Sequence, residues 1–261
     1  MADAFNAETV HERFRDLAEL RSFANRLIAL WDRDLDRTFK MKRDYVAAGG
    51  PIIWSYTQHA VELVRSILEL SKQDRIVITI PLIRLTLESA MTAIWLYLTP
   101  SAARAVIHEG LRQRQAALKE VIELGTDGFD DRNLSSIAKQ LDEFAADSLP
   151  AGKSFCERCR AIVDGPGVYA TWRVMSSFSH AGMAMGDFYL TTVEPKPDAP
   201  TGIALNSAAK MDHHEAWLGT AVCMLLAALK VCDLIDGEGR RKNQIAKAAK
   251  RMGITLDFAL A

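Results

Sequence analysis

Apolar residues recur along this chain at steps of three and four, the period of helices rather than strands. Across residues 9–46, Phe14, Leu17, Leu20, Phe23, Leu27, Leu30, Trp31, Leu35 and Phe39 keep that spacing with dense charge between them, which predicts one long amphipathic helix. Gly49, Gly50 and Pro51 interrupt the pattern. Pro51 suits the first turn of a second helix reaching about Ser71, with Ile53, His59 or Ala60, Leu63 and Ile67 inward. Residues 76–98, above all from Pro81 onward, are apolar on nearly every side, so a central third helix is expected. Thr99 and Pro100 then offer a cap and a proline start for a fourth helix through Leu124, closed by a turn over residues 125–128. An acidic amphipathic helix is predicted over about 133–146 and a short one over 154–163. After a Gly165-Pro166-Gly167 break, another runs from Val168 to about His180.

Residues 181–210 lose the period and hold Pro195, Pro197 and Pro200. A long loop is expected there, with a short strand pair around Tyr189 and Ile203, and loops of this length tend to be functional. Residues 211–235 predict a helix that closes the bundle, mostly apolar from Trp217 onward, and a basic helix over 240–252 trails it. The reading is all-α: a single domain, 1–261, folded as a bundle of eight or nine helices with its core in residues 52–235.

Composition narrows this picture without redirecting it. The chain has 261 residues, 49% hydrophobic, with 32 Lys+Arg against 33 Asp+Glu, which is ordinary for a globular protein. The formal net charge of -1 gives no global pull toward nucleic acid or anionic lipid, so such binding needs a local basic patch. Two segments are long enough to span a bilayer. One holds Arg84 and Glu88, and the other ends in Lys230 and Asp233; a charge at bilayer centre costs roughly 2.5–3.5 kcal/mol. Core helices without integral membrane association are therefore expected. The first residues lack a signal-peptide apolar core and four cysteines make no disulfide scaffold, so a cytoplasmic setting is expected.

Several familiar motifs are approached and missed. Gly152-Lys153-Ser154 ends a near P-loop, but Asp147 stands where the first glycine belongs and no strand precedes it. Gly165-Pro166-Gly167 has no alternating strands and helices around it to form a dinucleotide fold. Cys156-x-x-Cys159, even with His213 and His214, makes no familiar zinc spacing. Glu8-x-x-His11 lacks the second pair of a di-iron bundle, and no Gly-x-Ser-x-Gly elbow is present. Neither a metal nor another cofactor is expected.

The chemistry that remains lies in Tyr169-Ala-Thr-Trp172-Arg173-Val-Met-Ser176-Ser177-Phe178-Ser-His180. On a helix, the seven-residue step from Arg173 to His180 returns to within about 20° of one face, with Ser176 and Ser177 between. A cation, two hydroxyls and an imidazole meet the needs of phosphodiester cleavage without metal. Histidine exchanges protons near neutrality, and arginine holds a phosphate by two hydrogen bonds.

Arg173-x6-His180 resembles the R-x(4 to 6)-H pattern of the HEPN superfamily, helical domains many of which are metal-independent RNases of toxin, antiphage and CRISPR systems. Arg84-x-x-x-Glu88 followed by Trp172-Arg173-x-x-Ser176-x-x-x-His180 also resembles an uncharacterised bacterial helical family that reads R-x-x-x-E, then Y-R-x-x-S-x-x-x-H. Here Trp172 replaces its tyrosine, and Val174 follows the arginine where HEPN nucleases often place Asn, Asp or His. The resemblance implies Arg173, His180 and Ser176 as catalytic residues, with Arg84, Glu88, Trp172 and Ser177 in support. It also implies a homodimer that joins two Arg/His pairs.

Arg84 and Glu88, one turn apart on an apolar helix, are expected as a buried ion pair. Arg112 and Arg114 read as solvated. Arg240, Arg241, Lys242, Lys247, Lys250 and Arg251 put six cations and no acid into residues 240–251. Of these, Arg240, Arg241, Lys242 and Lys247 are candidates to contact RNA phosphates or a protein partner, against a solvated terminal helix as the favoured use. The leading expectation is a HEPN-like RNA-binding protein or endoribonuclease with a toxin or phage-defence role. Its rivals are a non-catalytic scaffold with a buried Arg/Glu/His network, and an enzyme with a small ligand in a bundle pocket. The RNase needs Arg173 and His180 exposed in a groove near a dimer axis, and the scaffold needs both buried and saturated.

Overall fold

The computed structural model describes residues 13–35, 39–45, 49–99, 101–125, 131–144, 149–197, 200–211 and 214–261. Among these, the helical period resolves into α1 (Leu17–Asp32), α2 (Gly49–Lys72), α3 (Ile76–Leu98), α4 (Ala102–Glu123), α5 (Asp131–Glu143) and α6 (Pro150–Lys153). There follow α7 (Phe155–Arg160), α8 (Gly165–Ser179), α9 (Met183–Gly186), α10 (His214–Ile235) and α11 (Lys242–Met252). The only strands among the described residues are β1 (Leu190–Thr192) and β2 (Ile203–Leu205). The protein is an all-α multi-helix bundle.

The core is built on α10. From Leu218 to Ile235 every residue except Lys230 and Leu234 is buried, because α1, α2, α3 and α11 all pack on it. Apolar side chains around the whole circumference drive this placement, since no face can be left to water. The second such helix, α3, packs on α2, α10, α7 and α8, but it is less enclosed than its composition predicts. Ile78 is 50% and Leu85 38% exposed, and seven residues apart they mark one uncovered face. Both helices are long and apolar enough to cross a membrane, and 67% of the α3 window and 89% of the α10 window are buried within the fold.

The long helix expected over residues 9–46 is a 16-residue helix instead. Asp16 caps α1 by accepting from the Glu19 N–H at 2.8 Å, and the helix ends at Asp32. Beyond it, residues 39–42 strap onto the end of α10. The Gly237 N–H donates to Lys40 O at 2.7 Å and the Lys42 N–H to Ile235 O at 2.9 Å, so this backbone is bonded to α10 instead of to a helix of its own. Residues 9–12, 36–38 and 46 of the expected helix lie outside the described residues.

The expected helix over 154–163 is two short ones, because Ser154 leaves α6 with extended backbone and its Oγ caps α7 through the Glu157 N–H. Helix α8 then starts hard against α7. A Cβ at Gly165 would lie 1.9 Å from the Cys159 carbonyl oxygen, so only glycine fits, and the Gly-Pro-Gly sequence is a packing turn. The expected strand pair is present: β1 and β2 are antiparallel, with Leu190 opposite Leu205 and Thr192 opposite Ile203. Phe178 on α8 meets Phe188 of the following 3-10 turn with ring centroids 5.1 Å apart, which fixes the start of residues 181–210 to the end of α8.

Candidate functional site

The two halves of the noted motif meet in space. Glu88 on α3 accepts from Arg84 at 3.0 Å and from the Trp172 indole N–H at 2.6 Å through the same Oε1. The Arg84 guanidinium lies over the Trp172 ring, 4.6 Å from its centroid. One carboxylate, one cation and one indole thus clamp α8 to α3, and the cation–π contact adds to the charge-assisted bonds. The expectation of a buried pair is corrected. The Arg84 and Glu88 side chains are 22% and 30% exposed, because the clamp sits where α8 crosses the uncovered side of α3.

Behind it lie residues that sequence reasoning passed over. Trp172 stacks on Tyr169 at 5.6 Å and tilts against Phe155 of α7 at 5.2 Å. Arg158 donates to the Thr92 hydroxyl at 2.5 Å and to Ala151 O at 2.9 Å. Burial lowers the Arg158 pKa and raises that of Tyr56, and the positive charge of Arg158 draws Tyr56 back down. Arg158 stands beside Cys159 in a short charged helix, where its spacing reads as surface; only folding turns it inward.

Of the predicted catalytic residues, Arg173 and Ser176 lie on α8, as does the supporting Ser177, and His180 does not. The helix ends at Ser179, and His180 caps it with extended backbone (φ -112, ψ 150), so the single helical stripe stops short of the imidazole. The rise from Arg173 to Ser179 is about 9 Å. Arg173, Ser177 and His180 are exposed and Ser176 is half-buried. The His180 carbonyl accepts from the Gly182 N–H at 2.8 Å, and among the described residues neither the Arg173 nor the His180 side chain has a hydrogen-bond or ion-pair partner. The serine hydroxyls donate back to their own helix, Ser176 to Trp172 O at 2.9 Å and Ser177 to Val174 O at 2.7 Å, and keep lone pairs to accept. The clamp holds Trp172 inward while the next residue, a rotation of about 100° away, carries its cation to solvent.

The C-terminal cations divide into two sets. Arg241 is 2% exposed, 3.4 Å from Asp34, and stacked on Trp31 at 4.8 Å. Arg240 pairs with Glu238, at 2.5 Å. Both are engaged within the protein, so the expectation that they meet RNA is corrected. Lys242 and Lys247 are exposed on α11. Arg112, read as solvated, holds the buried Glu109 through two bonds of 2.6 and 2.7 Å.

Gly152 and Lys153 are helical and Ser154 is a cap, while Asp147 and Glu8-x-x-His11 lie outside the described residues, as does His213. Burial pushes the Cys159, Cys223 and Cys232 thiols up to about 12. Among the described residues no three His, Cys, Asp or Glu side chains converge on a point that would hold a metal. Comparison of the chain with protein-family models, with curated proteins and with solved structures finds no match.

Proposed function

We propose that this protein binds RNA and cleaves it without metal, using Arg173 and His180. The observation that carries the reading is exposure: both side chains stand in solvent with no partner among the described residues. A scaffold role would have them buried and bonded. The resemblance of Arg173-x6-His180 to the HEPN pattern supports the same reading, and with it a toxin or phage-defence role in the cytoplasm. Ribose carries its own nucleophile, so the protein need only move a proton and stabilise charge on the phosphoryl oxygens. His180 exchanges the proton, Arg173 holds the oxygens, and Ser176, half-buried between them in sequence, orients either. Arg84, Glu88 and Trp172 position α8 and do not touch substrate.

A homodimer belongs to this reading. Ile78 and Leu85 on α3 are joined in exposure by Val174, 49% exposed beside Arg173, and a second copy covering them brings two Arg173/His180 pairs toward one groove. The test is incubation of single-stranded RNA with the protein in EDTA. Cleavage is expected, and His180→Ala and Arg173→Ala are expected to lower it by about 10²- to 10⁴-fold. Helix content should be unchanged, since both side chains are exposed. Cleavage that survives both substitutions contradicts the assignment.

A further inference from the structure

A second surface, remote in sequence from Arg173 and His180, is built by the two ends of the chain. Helices α1 and α11 both pack on α10 and are pinned to each other at each end by an arginine. At one end Arg251 donates to Glu19 at 2.7 Å and lies over Phe14 at 5.0 Å. At the other, Arg241 pairs with Asp34 and lies over Trp31. The start of α1 thus meets the end of α11 and the reverse, so the helices run antiparallel. The two latches hold them apart as well as together, and between them lies a groove of about 610 Å³.

The groove has an apolar floor and a rim of one sign. Phe23, Leu27, Leu30 and Ala248 form the floor, and Arg26, Arg33, Lys247 and Arg251 form the rim, with no acidic side chain in the lining. It continues into a hollow of about 460 Å³ bounded by Arg13, Lys247, Lys250 and Arg251, again without an acid. From Arg26 to Arg33 the groove runs about 10 Å along the helix axis, two turns, and the hollow extends it by about another. Arg251 is paired with Glu19, and Arg33 lies 3.8 Å from Asp34, so Arg26, Lys247 and Lys250 face this surface without an acidic partner among the described residues.

We propose that the groove between α1 and α11 binds an acidic amphipathic helix of a partner protein. The trough between two antiparallel helices is the shape that accepts a third, with its apolar face at i, i+3, i+4 and i+7 on the floor. Carboxylates flanking that stripe meet the cations on both rims. Charge complementarity calls for an acidic occupant, and the lining and shape of the groove favour a helix over two others. An RNA strand needs several aromatic faces on which successive bases stack, and the lining holds one aromatic side chain, Phe23, among aliphatic ones. A lipid surface is met by a convex patch that inserts, whereas this apolar floor is recessed behind its cations.

The probe is a fluorescein-labelled 14-residue peptide with leucine at i, i+3, i+4 and i+7 of each turn pair and glutamate at the flanking positions. Its counterpart has the same leucines flanked by lysine. Fluorescence anisotropy with the full chain should show saturable binding of the glutamate peptide and none of the lysine peptide. Raising salt should weaken that binding, because the rim charges are exposed and screened. Arg26→Glu with Lys247→Glu should weaken it by about tenfold or more. Circular dichroism of that variant should be unchanged, as both residues are exposed. Arg114→Glu, on a different groove along α4, and Arg173→Ala should leave it intact. No saturable binding, equal binding of both peptides, or indifference to the double reversal overturns the proposal. So does displacement of the peptide by an oligouridylate or by phosphatidylglycerol vesicles more effectively than by unlabelled peptide. Loss of RNA cleavage with peptide binding retained, or the reverse, separates this surface from the Arg173/His180 site.

Discussion

Glu88 accepts from two different helices through one oxygen, so its replacement loosens α8 and α3 together. Glu88→Ala leaves the Arg84 guanidinium and the Trp172 N–H without an acceptor, and with the clamp half in water this should cost about 1–3 kcal/mol. Glu88→Gln keeps an acceptor and should lose less. Replacing both charges, Arg84→Met with Glu88→Leu, should lose less than Glu88→Ala, because no cation is stranded. Urea unfolding followed by tryptophan fluorescence orders the variants, and equal midpoints would contradict the clamp. Asp233 carries a pH effect of determined sign. Burial pushes its carboxyl above the ordinary value of 3.8, outweighing the opposing bond from the Arg241 amide, and Asp236 adds to the rise. A carboxyl with a raised folded pKa binds its proton more tightly in the native state. Its contribution to stability is therefore complete below 3.8 and is lost as pH rises through the folded value. Asp233→Asn keeps the oxygen that accepts from the Arg241 N–H at 2.9 Å and removes the titration. The stability of the variant relative to the native protein should improve from pH 4 to pH 7, and a difference independent of pH would contradict the burial argument.

Elements place their own demands on single positions, and two glycines separate them. Gly165 opens α8 where a Cβ would strike the Cys159 carbonyl, so Gly165→Ala must shift α7 from α8 and should cost about 1–3 kcal/mol or more. Gly110 lies within α4 with nothing within 4 Å of a built Cβ, so Gly110→Ala should stabilise by about 0.5–1 kcal/mol through helix propensity alone. Thermal unfolding checks both signs, and a neutral Gly165→Ala would show that α7 and α8 do not need this approach. Much at this scale was legible in the sequence. The three-and-four spacing located α2, α3, α4, α10 and α11 within a few residues, and turn residues located the β1–β2 pair. The overlong first helix shows why the rest was not. Leu35 and Phe39 continue the helical period, but Leu35 is 41% exposed and residues 39–42 bond to the end of α10. Periodicity records which residues are apolar, whereas a helix end depends on which distant backbone offers bonds. Likewise, the spacing of Arg173 and His180 was readable, but the exit of the chain from α8 at His180 was not.

At the scale of the whole molecule, α10 anchors a bundle whose two outward faces differ in chemistry. One, at α3 and α8, exposes Ile78 and Leu85 on α3 and Arg173 and Val174 on α8, with the histidine at the end of α8. The other, between α1 and α11, is a cationic trough made from the two ends of the chain. Arg84, Glu88, Trp172 and Arg158 join the first face to the core, which is why residues distant in sequence had to be read together before α8 could be placed. Arg241, a basic residue that charge alone assigns to solvent, is instead spent as a buried latch. In the proposed reaction Arg173 and His180 assist transfer of the phosphoryl group from the 5′-oxygen of the next nucleotide to the ribose 2′-oxygen, and the new ends of cleaved RNA report that step most directly. With a labelled single-stranded RNA in EDTA, 2′,3′-cyclic phosphate and 5′-hydroxyl ends are expected, and a 2′-deoxy substitution at the cut nucleotide should abolish that cut. Products ending in 3′-hydroxyl and 5′-phosphate, or cutting that persists at the deoxy position, would contradict this reaction.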